Sequence, residues 1–277
     1  MDLVIQGQDV ETRDLKDLAA LTGARGIEQP VLQVFRLLGA QHMPEAVQQF
    51  CAPRALDYGY VPPARKLADM RLFVTDMDST LITIECIDEI ADMQGLKPQV
   101  AEITEAAMRG ELDFPASLRR RVALLAGLPE QALARVYDER LKLSPGAERL
   151  MRHLREAGVT TVLVSGGFTF FTERIKARLG FDHAHSNTLE IVGGKLTGRV
   201  LGDIVDGAAK RDLLLQVRDA IGATREQTIA AGDGANDLLM LGEAAVSVAY
   251  RAKPVVRAQA AYALDHVGLD GIANLFA

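Results

Sequence analysis

The chain has 277 residues, 48% hydrophobic and 25% charged, as expected for one large globular domain with smaller additions. Its net charge of −6 argues against a general affinity for nucleic acid or anionic membranes, although a local site can still bind a small phosphate. No apolar run is long enough to cross a bilayer, and the first residues lack a secretory pattern. Two cysteines are too few for a disulfide framework or a zinc site. We therefore expect a cytoplasmic location.

Residues 1–68 are predicted to form an N-terminal accessory segment, because they carry no chemical motif and end in a proline-rich stretch. A short strand is expected at Leu3–Ile5. Helical patterns follow at Leu15–Leu21, Pro30–Leu38 and Pro44–Phe50. Two prolines within Val61–Arg65 disfavour both a helix and a central strand, so this stretch is interpreted as a linker. An accessory or dimerisation role is favoured for the segment, and ligand sensing stays open.

From Arg71 onward, short apolar runs alternate with helical patterns, which is typical of an α/β, Rossmann-like, mostly parallel sheet. The runs are Leu72–Thr75, Thr160–Val164, Thr228–Ala231 and Val246–Ala249, and the helical patterns are Gly146–Ala157, Phe168–Leu179, Lys210–Ile221 and Asn236–Ala244. We assign this core to residues 69–83 and 143–277. Ligands of such sheets bind at the carboxyl ends of the strands, where three of these runs end in polar or glycine-rich clusters.

The stretch between the first two runs is far longer than one crossover helix needs. Residues 84–142 are rich in Ala, Leu, Glu and Arg at helical spacing, and we expect an inserted helical cap over the carboxyl edge of the sheet. Such a cap would exclude water from a site below it. Further along, Thr188–Gly202 is divided by Gly193-Gly194 and predicts a β-hairpin.

Two acidic clusters follow buried runs. Asp76 and Asp78 are two residues apart, so an extended chain places both on one side. Paired carboxylates repel unless a cation lies between them or one is protonated. This favours a site for a hard cation such as Mg²⁺. A surface turn with two solvated acids would give the same sequence pattern, so that alternative stays open. Asp233, within Gly232–Asp237, would complete such a metal site, or this stretch would simply cap the next helix.

Groups suited to an anion follow the other runs. Ser165-Gly166-Gly167 offers a hydroxyl and free backbone N–H groups at the start of a helix. Lys210 begins another helix, although a lone lysine is ordinarily a solvated surface charge. Acids, hydroxyl, amides and lysine together favour phosphoryl transfer, which requires mainly positioning and charge neutralisation. The sequence contains no P-loop, dinucleotide-binding, zinc-protease or nucleophile-elbow motif.

These stretches resemble the motifs of the haloacid dehalogenase superfamily of phosphatases, and within it the branch that acts on phosphoserine. The resemblance covers about residues 70–275 and is carried by Asp76–Leu81, Glu85 with Ile87–Glu89, Ser117–Val122, Val164–Phe168, Lys195–Gly198 and Gly232–Asp237. It implies Mg²⁺-dependent hydrolysis of O-phospho-L-serine to L-serine and phosphate through an aspartyl phosphate, the last step of making serine.

The resemblance also implies a role for each matching residue. Asp76 would be the nucleophile, and Asp78 the general acid and base. Mg²⁺ would be held by the carboxylates of Asp76 and Asp233 and by the backbone carbonyl of Met77, next to Asp78. Asp237 would orient the groups around the metal. The residues assigned to the phosphoryl oxygens and their surroundings are Ser165, Gly166, Lys210 and Asn236.

In the cap, the resemblance assigns the substrate ammonium to Glu85, its carboxylate to Arg121, and an apolar contact over the substrate to Phe114. The expected partner is a small phosphomonoester rather than nucleic acid or membrane, and a homodimer stays open. One alternative is a related phosphatase or phosphotransferase acting on another small phosphate such as phosphohomoserine. Another is a signalling receiver, but a general base at Asp78 would hydrolyse the acyl phosphate that a receiver must keep.

Overall fold

The computed structural model describes residues 1–276, apart from the side chain of Met108, and one sheet of 11 strands runs through it. The N-terminal segment contributes β1 (Asp2–Gln6), α1 (Thr12–Thr22), β2 (Gly26–Val31), β3 (Val34–Leu38), α2 (Pro44–Cys51) and β4 (Asp57–Val61). Its apolar side chains form a cluster of their own between these helices and strands. The expected strand at Leu3–Ile5 and the helices around Leu15–Leu21 and Pro44–Phe50 are confirmed.

The helix expected over Pro30–Leu38 is wrong. These residues complete β2, turn at Gln33 and form β3, which pairs antiparallel with β1. Val34, Arg36 and Leu37 of β3 are buried, so both faces of this strand are partly covered. The apolar spacing that resembled a helix belongs to two strands joined by a turn. Pro30 is tolerated because β2 is an edge strand and needs no further ladder partner there.

The chain then enters the core with β5 (Leu72–Thr75), whose four residues are all buried, as its uninterrupted apolar run predicts. The inserted helices that follow are α3 (Cys86–Asp92), α4 (Lys97–Met108), α5 (Phe114–Ala123) and α6 (Gln131–Glu139). The sequence therefore continues after β5 as a group of helices, as expected. Among the described residues, no helix combines the length and apolar character that crossing a membrane would need.

The rest of the core alternates helices and strands. Its elements are α7 (Ala147–Glu156), β6 (Thr160–Phe168), α8 (Thr169–Leu179), β7 (His183–Val192), β8 (Lys195–Leu201), α9 (Gly207–Ala220), β9 (Thr228–Gly232), α10 (Leu238–Gly242), β10 (Val246–Tyr250), α11 (Pro254–Arg257) and β11 (Tyr262–Leu264). The predicted α/β architecture is confirmed, as is the hairpin, which is formed by β7 and β8.

The strand order is β2-β3-β1-β4-β11-β10-β9-β5-β6-β7-β8, with parallel pairing from β11 through β7. The N-terminal strands join the core where Tyr58 of β4 pairs with Ala263 of β11. In the centre, Thr75 of β5 pairs with both Leu163 of β6 and Ala231 of β9. The polar clusters after these three strands therefore meet at one carboxyl edge, below the inserted helices.

Candidate active site

A cavity of about 1080 Å³ lies between this carboxyl edge and the inserted helices. Of the residues predicted to form the site, those that line it are Asp76, Asp78, Glu85, Phe114, Arg121, Ser165, Gly166, Asp233 and Asn236. The other two, Lys210 and Asp237, are fully buried behind its wall. The structure thus brings the predicted residues to one place, nine on the cavity surface and two behind it.

Asp76 is held where β5 ends. Its backbone N–H donates to the carbonyl of Ala231 at 3.0 Å, which continues the pairing with β9 by one residue. Its Oδ1 accepts the N–H of Met77 at 2.7 Å. The chain then turns sharply at Ser79, whose φ of 57° lies in the left-handed region that few non-glycine residues adopt. The carboxylate is therefore fixed by backbone geometry before any ligand arrives.

Lys210, near the start of α9, is the only cation in direct contact with the acids at the base of the cavity, as far as the structure describes the chain. Its Nζ lies 2.8 Å from Oδ1 of Asp76 and 2.7 Å from Oδ1 of Asp237, and the side chain is 0% exposed. Burial alone would lower the pKa of Lys210, but Asp237 and Asp76 outweigh it and hold the pKa above its usual value. The ammonium therefore stays charged although it is fully buried, whereas its isolation in the sequence would suggest a solvated surface lysine.

Asp237 is fully occupied by the protein. Besides its contact with Lys210, its Oδ2 accepts the backbone N–H groups of Asp233, at 3.1 Å, and Gly234, at 3.0 Å. The close approach depends on Gly232, where a Cβ would lie 2.5 Å from the carboxylate. Asp237 thus anchors both the lysine and the loop that carries Asp233.

The acids carry more negative charge than Lys210 can balance. Asp76, Asp233 and Asp237 each place a carboxylate oxygen within 4.8 Å of the others. Burial and then Asp237 raise the pKa of Asp233 to about 6, and the same two causes hold the pKa of Asp76 well above its usual range. Crowded, buried oxygen ligands with this repulsion fit a hard divalent cation.

The carbonyl oxygen of Met77, which is expected to bind the metal, already accepts one hydrogen bond from the protein. It accepts the N–H of Ile82 at 3.0 Å, which leaves one of its two lone pairs. Nearby, Thr80 donates its hydroxyl to Oδ1 of Asp233 at 2.9 Å and so ties the turn after β5 to the loop after β9. The two acidic stretches are therefore joined through side chains as well as through the sheet.

Asp78 sits in a different environment from Asp76. Burial, followed by the charge of Glu85, raises the pKa of Asp78 to about 8. Its Oδ2 accepts the N–H of Cys86 at 3.4 Å, while its buried Oδ1 has no hydrogen-bond partner among the described residues. A carboxyl group with this pKa is protonated near neutral pH and has an oxygen free to exchange a proton with a ligand.

The Ser165–Gly167 loop, an irregular part near the end of β6, is shaped by its glycines. Ser165 is buried, and its Oγ accepts the N–H of Gly167 at 2.8 Å. A Cβ on Gly166 would lie 2.8 Å from the ring of Phe114, and one on Gly167 would lie 3.1 Å from Oδ2 of Asp78. Only glycine lets this loop pass between the acid and the cap, and Phe114 of α5 lies directly against it.

Opposite charges face the cavity at its cap end, where Glu85 precedes α3 and Arg121 lies on α5. Oε1 of Glu85 accepts the hydroxyl hydrogen of Ser79 at 2.7 Å, and burial raises the pKa of Glu85. Burial lowers the pKa of Arg121, while Asp88 and then Glu85 act against that shift. The buried Nε of Arg121 has no hydrogen-bond partner among the described residues. This end would suit a ligand that brings both an ammonium and a carboxylate.

Four further residues of the site receive no role from the sequence. Ser79 and Thr80 belong to the first acidic motif, where hydroxyl groups beside two acids are the pattern that indicates them. Asp88 lines the cavity beside Arg121. Lys253 also lines it, and its backbone N–H donates to the carbonyl of Asp233 at 3.0 Å. Its position shortly after β10, at the same carboxyl edge, was the available signal.

Two families match parts of the chain. The family described as haloacid dehalogenase-like hydrolase matches residues 73–242. A domain of unknown function matches residues 3–45. The first match includes most of β5, the inserted helices and the acidic cluster after β9, so it contains nearly the whole site.

Individual relatives share this region closely. The phosphoserine phosphatase of Polaromonas sp. (strain JS666) is 55% identical over 218 residues, which are 77% of this chain and 92% of that protein. The unliganded probable phosphoserine phosphatase of Vibrio cholerae aligns with a TM-score of 0.87 at 38% identity, over 99% of this chain and 86% of that one. A phospho-aspartyl intermediate analogue of a phosphoserine phosphatase aligns with a TM-score of 0.70 at 38% identity, over 75% of this chain and 99% of that one.

Proposed function

The chain belongs to the haloacid dehalogenase-like hydrolases and, within them, to the phosphoserine phosphatases, and from this membership we propose that it hydrolyses O-phospho-L-serine to L-serine and phosphate. The choice of substrate rests on one observation: the same cavity is lined by the acids and the Ser165–Gly167 loop at its floor and by Glu85 and Arg121 at its cap end. A phosphoserine has its phosphate at one end and an ammonium and a carboxylate at the other.

In the first step we assign Asp76 as the nucleophile. Its Oδ1 accepts Met77 N–H and contacts Lys210, so Oδ2 is the oxygen left to attack phosphorus. A bond forms between this oxygen and phosphorus while the bond from phosphorus to the serine oxygen breaks, which gives an aspartyl phosphate. Asp78, protonated near neutral pH, gives its proton to the departing serine oxygen.

In the second step Asp78 acts as the base. Its carboxylate removes a proton from water, the water oxygen attacks phosphorus, and the bond to Asp76 breaks. Phosphate leaves, Asp76 is again a carboxylate and Asp78 is again protonated. During both steps, Ser165, the backbone N–H groups of the loop and Lys210 neutralise the phosphoryl oxygens.

The residues present fit a resident Mg²⁺, since Asp76 and Asp233 supply carboxylate oxygens whose mutual repulsion is not balanced by Lys210. We assign these two acids, with the Met77 carbonyl, as its protein ligands, and Asp237 and Asn236 as the residues that orient them. When bound, a divalent cation supplies charge stabilisation for the transferred phosphoryl group.

At the far end of the cavity, we assign Glu85 to the substrate ammonium and Arg121 to its carboxylate. The planar fork of Arg121 suits a carboxylate, and its unpartnered Nε would gain a hydrogen bond that the protein does not supply. Phe114 closes over the substrate between the two ends. A homodimer, a cytoplasmic location and an accessory role for residues 1–68 remain predictions.

The function is tested by phosphate release from phosphoserine, phosphothreonine, phosphohomoserine and an aryl phosphate, with Mg²⁺ and with EDTA. We expect kcat/KM for phosphoserine to exceed that for the aryl phosphate by about 100-fold, the value of two charge-assisted contacts. Phosphothreonine and phosphohomoserine carry the same ammonium and carboxylate, so they test the length and shape of the cavity instead. Equal values for phosphoserine and the aryl phosphate would keep the phosphatase chemistry and exclude the assigned roles of Glu85 and Arg121. A preference for phosphohomoserine would favour the alternative substrate, and full activity in EDTA would exclude the metal role.

A further inference from the structure

The loop that carries Ser165 and Gly166 departs from the regular ladder of the sheet. Val164 of β6 pairs with His185 of β7, and the next pair is Phe168 with Asn187. Between these pairs β6 advances by four residues and β7 by only two, so β6 bulges towards the cavity. A bulge leaves backbone groups without their usual ladder partners and redirects the side chains. The position of the bulge, to which we assign phosphate binding, must therefore be fixed by side-chain contacts and not by strand pairing.

Asn187 supplies the missing partner. Its side chain is 0% exposed, and its Nδ2 donates to the carbonyl of Gly166, in the middle of the bulge, at 2.8 Å. Its Oδ1 accepts the backbone N–H of Val205 at 2.8 Å. The carboxamide thus joins the bulge to a second, distant segment, and both of its ends are in use.

The second segment leads directly to Lys210. Val205 precedes Asp206, whose Oδ1 caps α9 by accepting the N–H of Ala209 at 2.9 Å. Lys210 lies on the first turn of that helix, and its backbone N–H donates to the carbonyl of Asp206 at 2.9 Å. One side chain therefore ties the loop assigned to the phosphoryl oxygens to the helix start that presents the ammonium.

We propose that Asn187 is a positioning residue for the phosphoryl group, because its buried carboxamide fixes the spacing between the Ser165–Gly167 bulge and the Lys210 end of α9. It touches neither the substrate nor the reacting atoms. The inference rests on the proposed function in assigning the bulge and Lys210 to phosphate. Misplacement of such groups by about 1 Å costs on the order of 100-fold in rate.

Two variants separate the two hydrogen bonds. Asn187→Asp keeps the shape and the acceptor for Val205 but replaces the donor to Gly166 with an oxygen. Asn187→Leu has a similar shape and removes both bonds. We expect each to raise the inhibition constant of inorganic phosphate about tenfold or more and to lower kcat by about 10- to 100-fold. Inhibition by L-serine, which probes the Glu85 and Arg121 end, should change by less than about twofold.

Gln6 offers a matched control outside the site. It is also a 0% exposed carboxamide, with Nε2 donating to the carbonyl of Gly271 at 3.2 Å and Oε1 accepting from Asn274 at 2.8 Å. Gln6→Glu and Gln6→Leu should lower the melting temperature as the Asn187 variants do. Their inhibition constants for phosphate should stay within about twofold of the wild type.

The proposal is overturned if the Asn187 variants bind phosphate as the wild type does, or if the Gln6 variants weaken phosphate binding as much at equal loss of melting temperature. If Asn187→Leu does not fold, Asn187→Asp carries the comparison. Hydrogen exchange on the wild type gives a second measurement, since saturating phosphate should slow exchange at Val205, and an unchanged rate would contradict the link. An aryl phosphate as substrate keeps these readouts informative even if phosphoserine is not hydrolysed.

Discussion

The two ends of the cavity are built differently. At the end that we assign to phosphate, Lys210 contacts two carboxylates, Asp237 accepts from three donors, and Ser165 accepts a hydrogen bond from Gly167 two residues away. At the amino-acid end, Glu85 has one hydrogen bond, from Ser79, and the buried Nε of Arg121 has none among the described residues. The side chains of the first end are held by hydrogen bonds within the protein, whereas the second end has an unused hydrogen-bond donor on Arg121 that a substrate would satisfy. Chemistry and substrate choice are therefore separable by mutation.

The largest effect should come from the organised end. Asp76→Asn replaces the carboxylate that we assign as the nucleophile while keeping the shape and the acceptor for Met77 N–H, so kcat should fall by at least about 10⁴-fold on phosphoserine and on an aryl phosphate alike. Steady-state phosphate release with both substrates measures this, and circular dichroism checks the fold. Residual turnover above about 1% would contradict the role.

The next effect should depend on the substrate. Arg121→Ala should lower kcat/KM for phosphoserine by about tenfold or more, since a charged hydrogen bond to a carboxylate contributes about 1.5–3 kcal/mol. For an aryl phosphate, the loss should stay within about threefold. The neighbouring Arg120 is exposed on the same helix, so Arg120→Ala serves as the matched control. An equal loss on both substrates would show that the two ends are not separable.

A smaller effect is expected at Ser79, which joins the ends. Ser79→Ala removes the hydroxyl that donates to Glu85, so KM for phosphoserine should rise by about three- to tenfold at nearly unchanged kcat. Ser79→Gly removes the same bond but suits the left-handed backbone, and so controls for strain at φ 57°. A fall in kcat alone, with KM unchanged, would place Ser79 in the chemistry instead.

The smallest effect concerns stability without metal. Burial raises the pKa of Asp78 to about 8 from an ordinary value of 3.8, so the folded chain binds the proton more tightly than the unfolded chain does. This contribution to stability is complete below about pH 3.8 and is lost as the pH rises through about 8. In EDTA, the melting temperature should be lower at pH 9 than at pH 6.

Asp78→Asn should flatten that dependence and raise the melting temperature at pH 9 by a few degrees above that of the wild type. Differential scanning calorimetry at the two pH values measures it. An equally steep decline in the variant would assign the dependence to other buried groups with raised pKa values, such as Glu85 and Asp233, of which Asp233 has its pKa raised to about 6.

The sequence was most informative where local pattern and chemistry coincide. Apolar runs such as Leu72–Thr75 are buried on both faces, so they could be identified as parallel strands, and the acids follow them directly. The pattern over Pro30–Leu38 misled because an alternation across a hairpin turn imitates helical spacing, and the pairing with β1 that decides it involves residues far away in the chain.

The same limit applied within the site. The partners of Lys210 lie at Asp76 and Asp237, so its burial could be inferred only through the family resemblance and not from its neighbours in sequence. Asn187 gave no signal at all, because its two hydrogen bonds reach residues 21 and 18 positions away on either side. Contacts that form only when strands and loops are assembled carry no local pattern.

The contact between Phe114 and Gly166 bears on the turnover rate. While the ring lies on the glycine, it covers the loop where a phosphate would arrive and from which it would leave. If the ring must move aside for phosphate to enter or leave, each catalytic cycle includes that motion, and motions of such segments take microseconds to milliseconds. Once the bond-breaking steps are faster than the motion, the movement of α5 limits the turnover rate, and changes at the acids would not increase it.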